Sequence, residues 1–298
     1  MRASTLHSIR KSGRMAIGGQ IGLLYLLSVA ALLLAGCSSP TSPPAPGGEI
    51  EGFVQSEGVQ IHWILDLPSG TGPHPAIVYG QGSGSITADF ASTRAHAREL
   101  NELGYAVIRY DKRGIGQSGG VLEGLSTANS EELIARLAAD MEAVLVELLG
   151  RPEIDASRIG LFGISQATWF MPVVAKRQAA VDFVITLTGG VLPVGVQTRY
   201  EELFRIDGLT MKQAEDQLDD YSGPIGFDPV PPIEAVDIPR LYLLGDKDEF
   251  GPLRQNLAAI EDLQTAGNTI QMILYAGGRH GLDSTDFWPD VAAFLAGL

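Results

Sequence analysis

Arg158-Ile-Gly-Leu-Phe-Gly-Ile-Ser-Gln-Ala-Thr-Trp-Phe170 reads as a strand, a sharp turn and the start of a helix. The apolar run ends at Phe162, and Gly163-Ile164-Ser165-Gln166-Ala167 occupies the turn. This is close to G-x-S-x-G, where a strained strand-to-helix turn holds a serine with its Oγ exposed. The residues two before and two after the serine must be small, because their side chains would collide across the turn. Gly163 meets that demand, and Ala167 adds one methyl where glycine is usual. A serine at a helix start can equally be an ordinary N-cap. The motif alone therefore leaves Ser165 open as a nucleophile or a cap.

Outward from this turn, the chain keeps a regular period. Residues 49–55 and 59–67 alternate apolar and polar side chains, predicting two antiparallel strands joined near Glu57-Gly58. Pro75–Tyr79 is short and continuously apolar, as in a strand buried on both faces. Strands are then expected at 105–110, 158–162, 183–187, 239–244 and 269–274. Helices at about 88–103, 130–149, 166–178, 252–264 and 286–297 separate them, and an irregular segment fills 190–238. Such alternation predicts an α/β chain with a mostly parallel sheet and helices on both faces. Reactive groups then belong beyond the C-terminal ends of the strands.

Three further turns fit that rule. Gly80-Gln-Gly-Ser-Gly84 follows the third strand and lets the backbone approach a substrate closely. An acyl-transfer site needs two N–H donors for an oxyanion. One would come from Gln166, after the serine, and the other from this turn. The turn lacks the lysine of a P-loop and the G-x-G-x-x-G spacing. Gly245-Asp246-Lys247-Asp248 supplies an acid that can orient a histidine. Past the first 36 residues the histidines are His62, His74, His96 and His280, and only His280 falls in a loop after a late strand. The chain order is serine, acid, histidine.

With these turns in place, the chain from about residue 50 onward resembles the α/β-hydrolase superfamily, and most closely its bacterial esterase and acyl-hydrolase-like branch. Gln81-Gly-Ser-Gly84 stands where members often have His-Gly-x-Gly. Asp111-Lys-Arg-Gly-Ile-Gly-Gln-Ser118 matches the family's D-x-R-G-x-G-x-S turn. Gly163–Ala167, Gly245–Asp248 and His280-Gly-Leu282 match its serine, acid and histidine turns. The resemblance implies an α/β-hydrolase fold, with Ser165 as nucleophile, Asp248 as acid and His280 as base. It also implies that the N–H of Ser83 joins that of Gln166 as oxyanion donor. Family position favours Asp248 over Asp246, which residue chemistry alone does not separate. Asp111 and Arg113 are expected to brace their turn, and Trp169 and Phe170 to join the core. The insertion at 191–238, after the sixth strand, implies a short cap with helical stretches near 197–206 and 209–220 over a fairly open pocket.

The N-terminal region is of another kind. Residues 1–36 hold Arg2, Arg10, Lys11 and Arg14, no acid, and a sixteen-residue run of apolar and small residues, Ile21–Gly36. Positive flank, short apolar stretch and small residues describe a secretory signal. Leu34-Ala35-Gly36-Cys37 resembles the lipobox of bacterial lipoproteins, which implies cleavage before Cys37 and acylation there with palmitate-class chains. An uncleaved anchor is the plainer alternative, although such a run is short for the roughly 20 residues a span needs. Residues 37–48 are rich in proline, serine and glycine and read as a tether. The hydrolase domain is expected at 49–298. Cys37 is the sole cysteine, so no internal disulfide can form.

The full chain carries −14. Without residues 1–36 it has 17 basic against 35 acidic residues, a net charge of −18. So acidic a domain repels nucleic acid and anionic lipid, and membrane attachment falls to the N-terminal lipid. Ser38 stands where an inner-membrane retention signal usually has aspartate, so a double-membraned host would direct the protein to its outer membrane. The expected activity is hydrolysis of a small carboxylic ester through an acyl-enzyme, without metal or organic cofactor. A peptidase, thioesterase or lactonase with the same triad is the near alternative, and a non-catalytic binding lipoprotein of this fold the distant one.

Overall fold

The computed structural model describes residues 47–298, so the expected signal, Cys37 and nearly all of the tether lie outside the described residues. β1 (Glu49–Ser56) and β2 (Val59–Asp66) form a hairpin. Glu57 and Gly58 at its turn both have positive φ, 47° and 79°, as a two-residue type I′ connection requires. Six more strands follow: β3 (His74–Gly80), β4 (Ala106–Tyr110), β5 (Ile154–Ile164), β6 (Val181–Leu187), β7 (Arg240–Gly245) and β8 (Ile270–Tyr275). They make one sheet in the order β1-β2-β4-β3-β5-β6-β7-β8. β2 runs antiparallel to β1 and β4, and every other neighbouring pair is parallel.

Side chains along a strand alternate between faces, and the packing follows that alternation. Val78, Leu161 and Val184 face one side, under α2 (Ser130–Leu149) and α3 (Ala167–Arg177). Ile77, Phe162 and Ile185 face the other, under α1 (Ala91–Glu102) and the C-terminal α8 (Trp288–Ala296). With both faces covered, the central strands have no polar stripe to show and read as continuous apolar runs. This is an α/β-hydrolase fold. Among the described residues, no helix is long and apolar enough to cross a membrane.

Between β6 and β7 the chain leaves the sheet. α4 (Val194–Glu201) passes into a π-helical turn, Glu202–Ile206. α5 (Met211–Leu218) starts with a capping box between Thr210 and Gln213. Tyr200, Leu203, Ala214 and Leu218 bury themselves in a small core of their own. A third helix, α6 (Val230–Glu234), forms where prolines led us to expect irregular chain. Its prolines sit in the first turn, where a backbone N–H has no helical partner to lose. α7 (Leu253–Thr265) then connects β7 to β8.

Candidate active site

β5 runs through Gly163 to Ile164, and the chain turns at Ser165 with φ of 53°. A side-chain-bearing residue in that region costs about 1 kcal/mol or more. Three hydrogen bonds hold it there. Ser165 N donates to Leu187 O at 3.1 Å, and Thr168 returns its N and Oγ1 to Ser165 O at 3.0 and 2.8 Å. Ser165 does not cap α3: the N-cap position is Gln166, and no side-chain cap bond is made. The small residues are needed as the motif suggests. A Cβ on Gly163 would fall 2.6 Å from Met171 Sδ and 2.7 Å from Ala167 Cβ. One on Gly80 would fall 2.8 Å from that same methyl. The Ala167 methyl therefore occupies a gap kept open by two glycines.

The loops after β7 and β8 bring Asp248 and His280 together. His280 Nδ1 lies 3.0 Å from both carboxylate oxygens of Asp248. A carboxylate only accepts, so Nδ1 carries the proton and Nε2 is left as the basic nitrogen. The His280 side chain is 24% exposed and that of Asp248 12%. Phe250 packs on the imidazole at 4.5 Å. Asp246 turns elsewhere: its Oδ1 accepts from Gly277 N at 2.6 Å and braces the two loops. Gly281 N donates to Thr188 Oγ1 at 3.1 Å. Thr188 directly follows Leu187, whose carbonyl holds Ser165, so β6 couples the histidine loop to the serine turn. Ser165 and Asp248 line one cavity, with Thr168, Trp169, Gln197 and Phe250. Among the described residues, no direct hydrogen bond joins Ser165 Oγ to His280.

The glycine turn after β3 lies against the serine. A Cβ on Gly82 would stand 3.3 Å from Ser165 Cβ. Among the described residues, neither the N–H of Ser83 nor that of Gln166 donates to another protein group. Gln81, in the place of the family's histidine, is buried and donates its amide to Tyr110 O. The turn after β4 frames all this. Asp111 accepts from Ala88 N, Gln117 N and His62 Nδ1 at 2.7, 2.9 and 3.0 Å. Arg113 grips the buried Asp140 of α2 with two bonds of 2.7 and 2.8 Å.

Three contributors escape a linear reading. Lys112 lies between these loops, buried, donating to Gly82 O and to Gln166 Oε1. A lysine two residues past a buried apolar strand was the available signal. Thr188 carries no motif. Trp169 belongs to the core as expected, but it also lines the cavity, its Nε1 donating to Leu192 O at 2.9 Å. Phe170 is wholly core.

A strained serine turn and an Asp–His pair at the carboxyl edge of such a sheet define the hydrolase class. Residues 91–296 match the Prolyl oligopeptidase family, and the chain belongs to that family. It is a serine hydrolase of the α/β-hydrolase superfamily. No curated protein is similar to it in sequence. Among solved structures it is similar to a Pyrococcus furiosus esterase, with 15% identity, a TM-score of 0.64, and coverage of 84% of this chain and 91% of that one. A cold-adapted esterase from an Arctic intertidal metagenomic library matches with 18% identity and TM-score 0.57, over 84% and 93%. Pyrococcus horikoshii acylaminoacyl peptidase matches with 18% identity and TM-score 0.63, over 84% of this chain but 41% of that one.

Proposed function

We propose that the protein hydrolyses carboxylic esters with Ser165 as nucleophile, His280 as base and Asp248 as the orienting acid. One observation carries this: the strained Ser165 borders the same cavity as Asp248, the carboxylate that holds His280 Nδ1. Ser165 Oγ attacks the ester carbonyl while His280 Nε2 takes its proton. The carbonyl oxygen becomes an oxyanion between the N–H groups of Ser83 and Gln166. As the tetrahedral species collapses, His280 passes the proton to the departing alcohol. Water, deprotonated by the same nitrogen, then splits the acyl-enzyme and returns the serine. Asp248 fixes the tautomer and stabilises the imidazolium. The cavity beside Ser165 is small, about 30 Å³. The two esterases are matched over nearly their whole length, which supports an ester as substrate. The family name supports the second reading, a peptidase.

A fluorophosphonate probe, with Ser165→Ala as control, tests the nucleophile. The wild type is expected to label at Ser165, and the variant to lose both labelling and turnover, by up to about 10⁶ in kcat. Undiminished hydrolysis by the variant refutes the assignment. Comparing p-nitrophenyl acetate with aminoacyl p-nitroanilides separates esterase from peptidase.

The same proposal includes an extracytoplasmic lipoprotein, made with a signal at 1–36, acylated at Cys37, tethered by 37–48 and attached to a membrane (the outer one in a double-membraned host). The lipobox-like Leu34–Cys37 supports it. Intact mass of the membrane-extracted protein is expected to show a chain that begins at Cys37 with added acyl mass. Cys37→Ser is expected to leave the longer precursor. A mature chain that starts elsewhere, or carries no lipid, rules this out.

A further inference from the structure

Lys112 stands directly behind the turn that carries Ser83. Its side chain reaches inward from the end of β4 and is 1% exposed as a residue. The amine donates to Gly82 O at 2.5 Å and to Gln166 Oε1 at 3.0 Å. No carboxylate is among its hydrogen-bond or ion-pair partners in the described residues, and burial draws its pKa down to about 8. A buried ammonium without a counter-ion is costly, and hydrogen bonds to two neutral acceptors offset that cost only in part. Stability therefore gives no reason for a lysine here.

The two acceptors do. Gly82 and Gln166 belong to the two segments that offer N–H donors beside Ser165. Among the described residues the only cis peptide is Gly72-Pro73, so the Gly82–Ser83 peptide is trans. In a trans peptide the C=O and the next N–H point in opposite directions. Holding the Gly82 carbonyl on Lys112 therefore aims the N–H of Ser83 the other way. A cation on that carbonyl also polarises the peptide and strengthens its N–H as a donor. The Gln166 side chain, held by the same amine, ties the elbow to the glycine turn.

We propose that Lys112 is the positioning residue of the oxyanion site. By gripping the Gly82 carbonyl and the Gln166 amide, it sets the direction and separation of the two backbone donors. It touches no substrate and transfers no proton. This rests on the reading of Ser165 as the nucleophile of an ester hydrolase.

The test uses the purified protein with Lys112→Met and Lys112→Gln. Labelling of the wild type by a fluorophosphonate comes first, since its absence defeats the nucleophile reading itself. With labelling in hand, the Met variant is expected to stay folded, with a melting temperature lowered only modestly by the two acceptors left unpaired. Its kcat on p-nitrophenyl acetate is expected to fall about 10²-fold or more with KM nearly unchanged, the pattern of an interaction made only in the transition state. A trifluoromethyl ketone, which forms the tetrahedral adduct, should lose affinity in parallel with kcat/KM. The Gln variant keeps one donor and should recover part of the loss. A Met variant within about threefold of wild-type kcat overturns the proposal, as does a loss seen only in KM. If the Met variant does not fold, the Gln variant decides alone: lowered kcat with KM kept supports the proposal, and unchanged kcat overturns it.

Discussion

Among the described residues, two Asp–His pairs hold an imidazole Nδ1 at the same distance from a carboxylate. His62 Nδ1 sits 3.0 Å from Asp111, and His280 Nδ1 sits 3.0 Å from Asp248. A serine accompanies each. Their surroundings separate them. The His62 side chain is 3% exposed, and its Nε2 is occupied by the Gln117 amide at 3.2 Å. Ser118 Oγ is spent on Asp111 O at 2.6 Å while accepting from His62 N at 2.8 Å. The polar atoms of that cluster bind one another and brace the turn after β4. His280 is partly open, and Ser165, at the cavity that Asp248 lines, sits on a strained elbow beside two unused N–H donors. An Asp–His pair is thus a way of fixing an imidazole. What the other ring nitrogen faces determines whether the imidazole can act as a base.

The sharpest way to break this contrast is to truncate both histidines. His280→Ala is expected to lower kcat by about 10⁴–10⁶ while the melting temperature scarcely moves. His62→Ala should keep kcat within about tenfold but lose about 1–3 kcal/mol of stability, because Asp111 gives up a charge-assisted partner. Urea unfolding beside steady-state kinetics reads both, and a silent but well-folded His62 variant would erase the distinction.

Asp248→Asn should cost about 10⁴ in kcat, because the imidazole loses the charge that orients it. Asp246→Asn only loosens a loop brace and should stay within about tenfold in kcat. A reversal of the two would move the acid to Asp246.

A third histidine sharpens the comparison from the side of pH. Among the described residues, no carboxylate is hydrogen-bonded to His96. It bonds Tyr79 Oη at 2.8 Å and lies among Phe162, Phe287 and Trp288. Burial pushes its pKa down to about 4, against a weaker opposing pull from Asp283. The unfolded chain takes up this proton near pH 6.5 and the folded one near 4, so stability is complete above 6.5 and is lost as pH falls between them. Between pH 7 and pH 5 the loss should be about 2 kcal/mol. His96→Gln should flatten that slope in urea titrations, and an unaltered slope would place the acid sensitivity elsewhere.

The smallest effect belongs to the elbow. Ala167→Gly restores the commoner motif but removes a buried methyl from the first turn of α3. Stability should fall by about 1 kcal/mol, with kcat within about tenfold. A larger change in activity would mean that the methyl shapes the oxyanion site.

Periodicity along the chain specified the eight strands and the helices on both faces, because burying one face of a helix or both faces of a strand leaves a local pattern of apolar residues. α2 was legible to the residue, since its apolar positions recur through five turns between a polar start and Gly150. The serine turn was legible for the same kind of reason: Gly163, Ser165 and Ala167 meet their steric demands within five residues. α6 was less so, because prolines at a helix start and prolines in irregular chain look alike until the helix has packed. Which of Asp246 and Asp248 meets His280 belonged to the tertiary structure. The two lie two residues apart with one chemistry, and only contact with a loop 32 residues away distinguishes them. Lys112 and Thr188 were hidden for that reason too. Their partners Gln166 and Gly281 stand 54 and 93 residues distant, and hydrogen bonds over such separations exist only once the sheet has brought its carboxyl ends together.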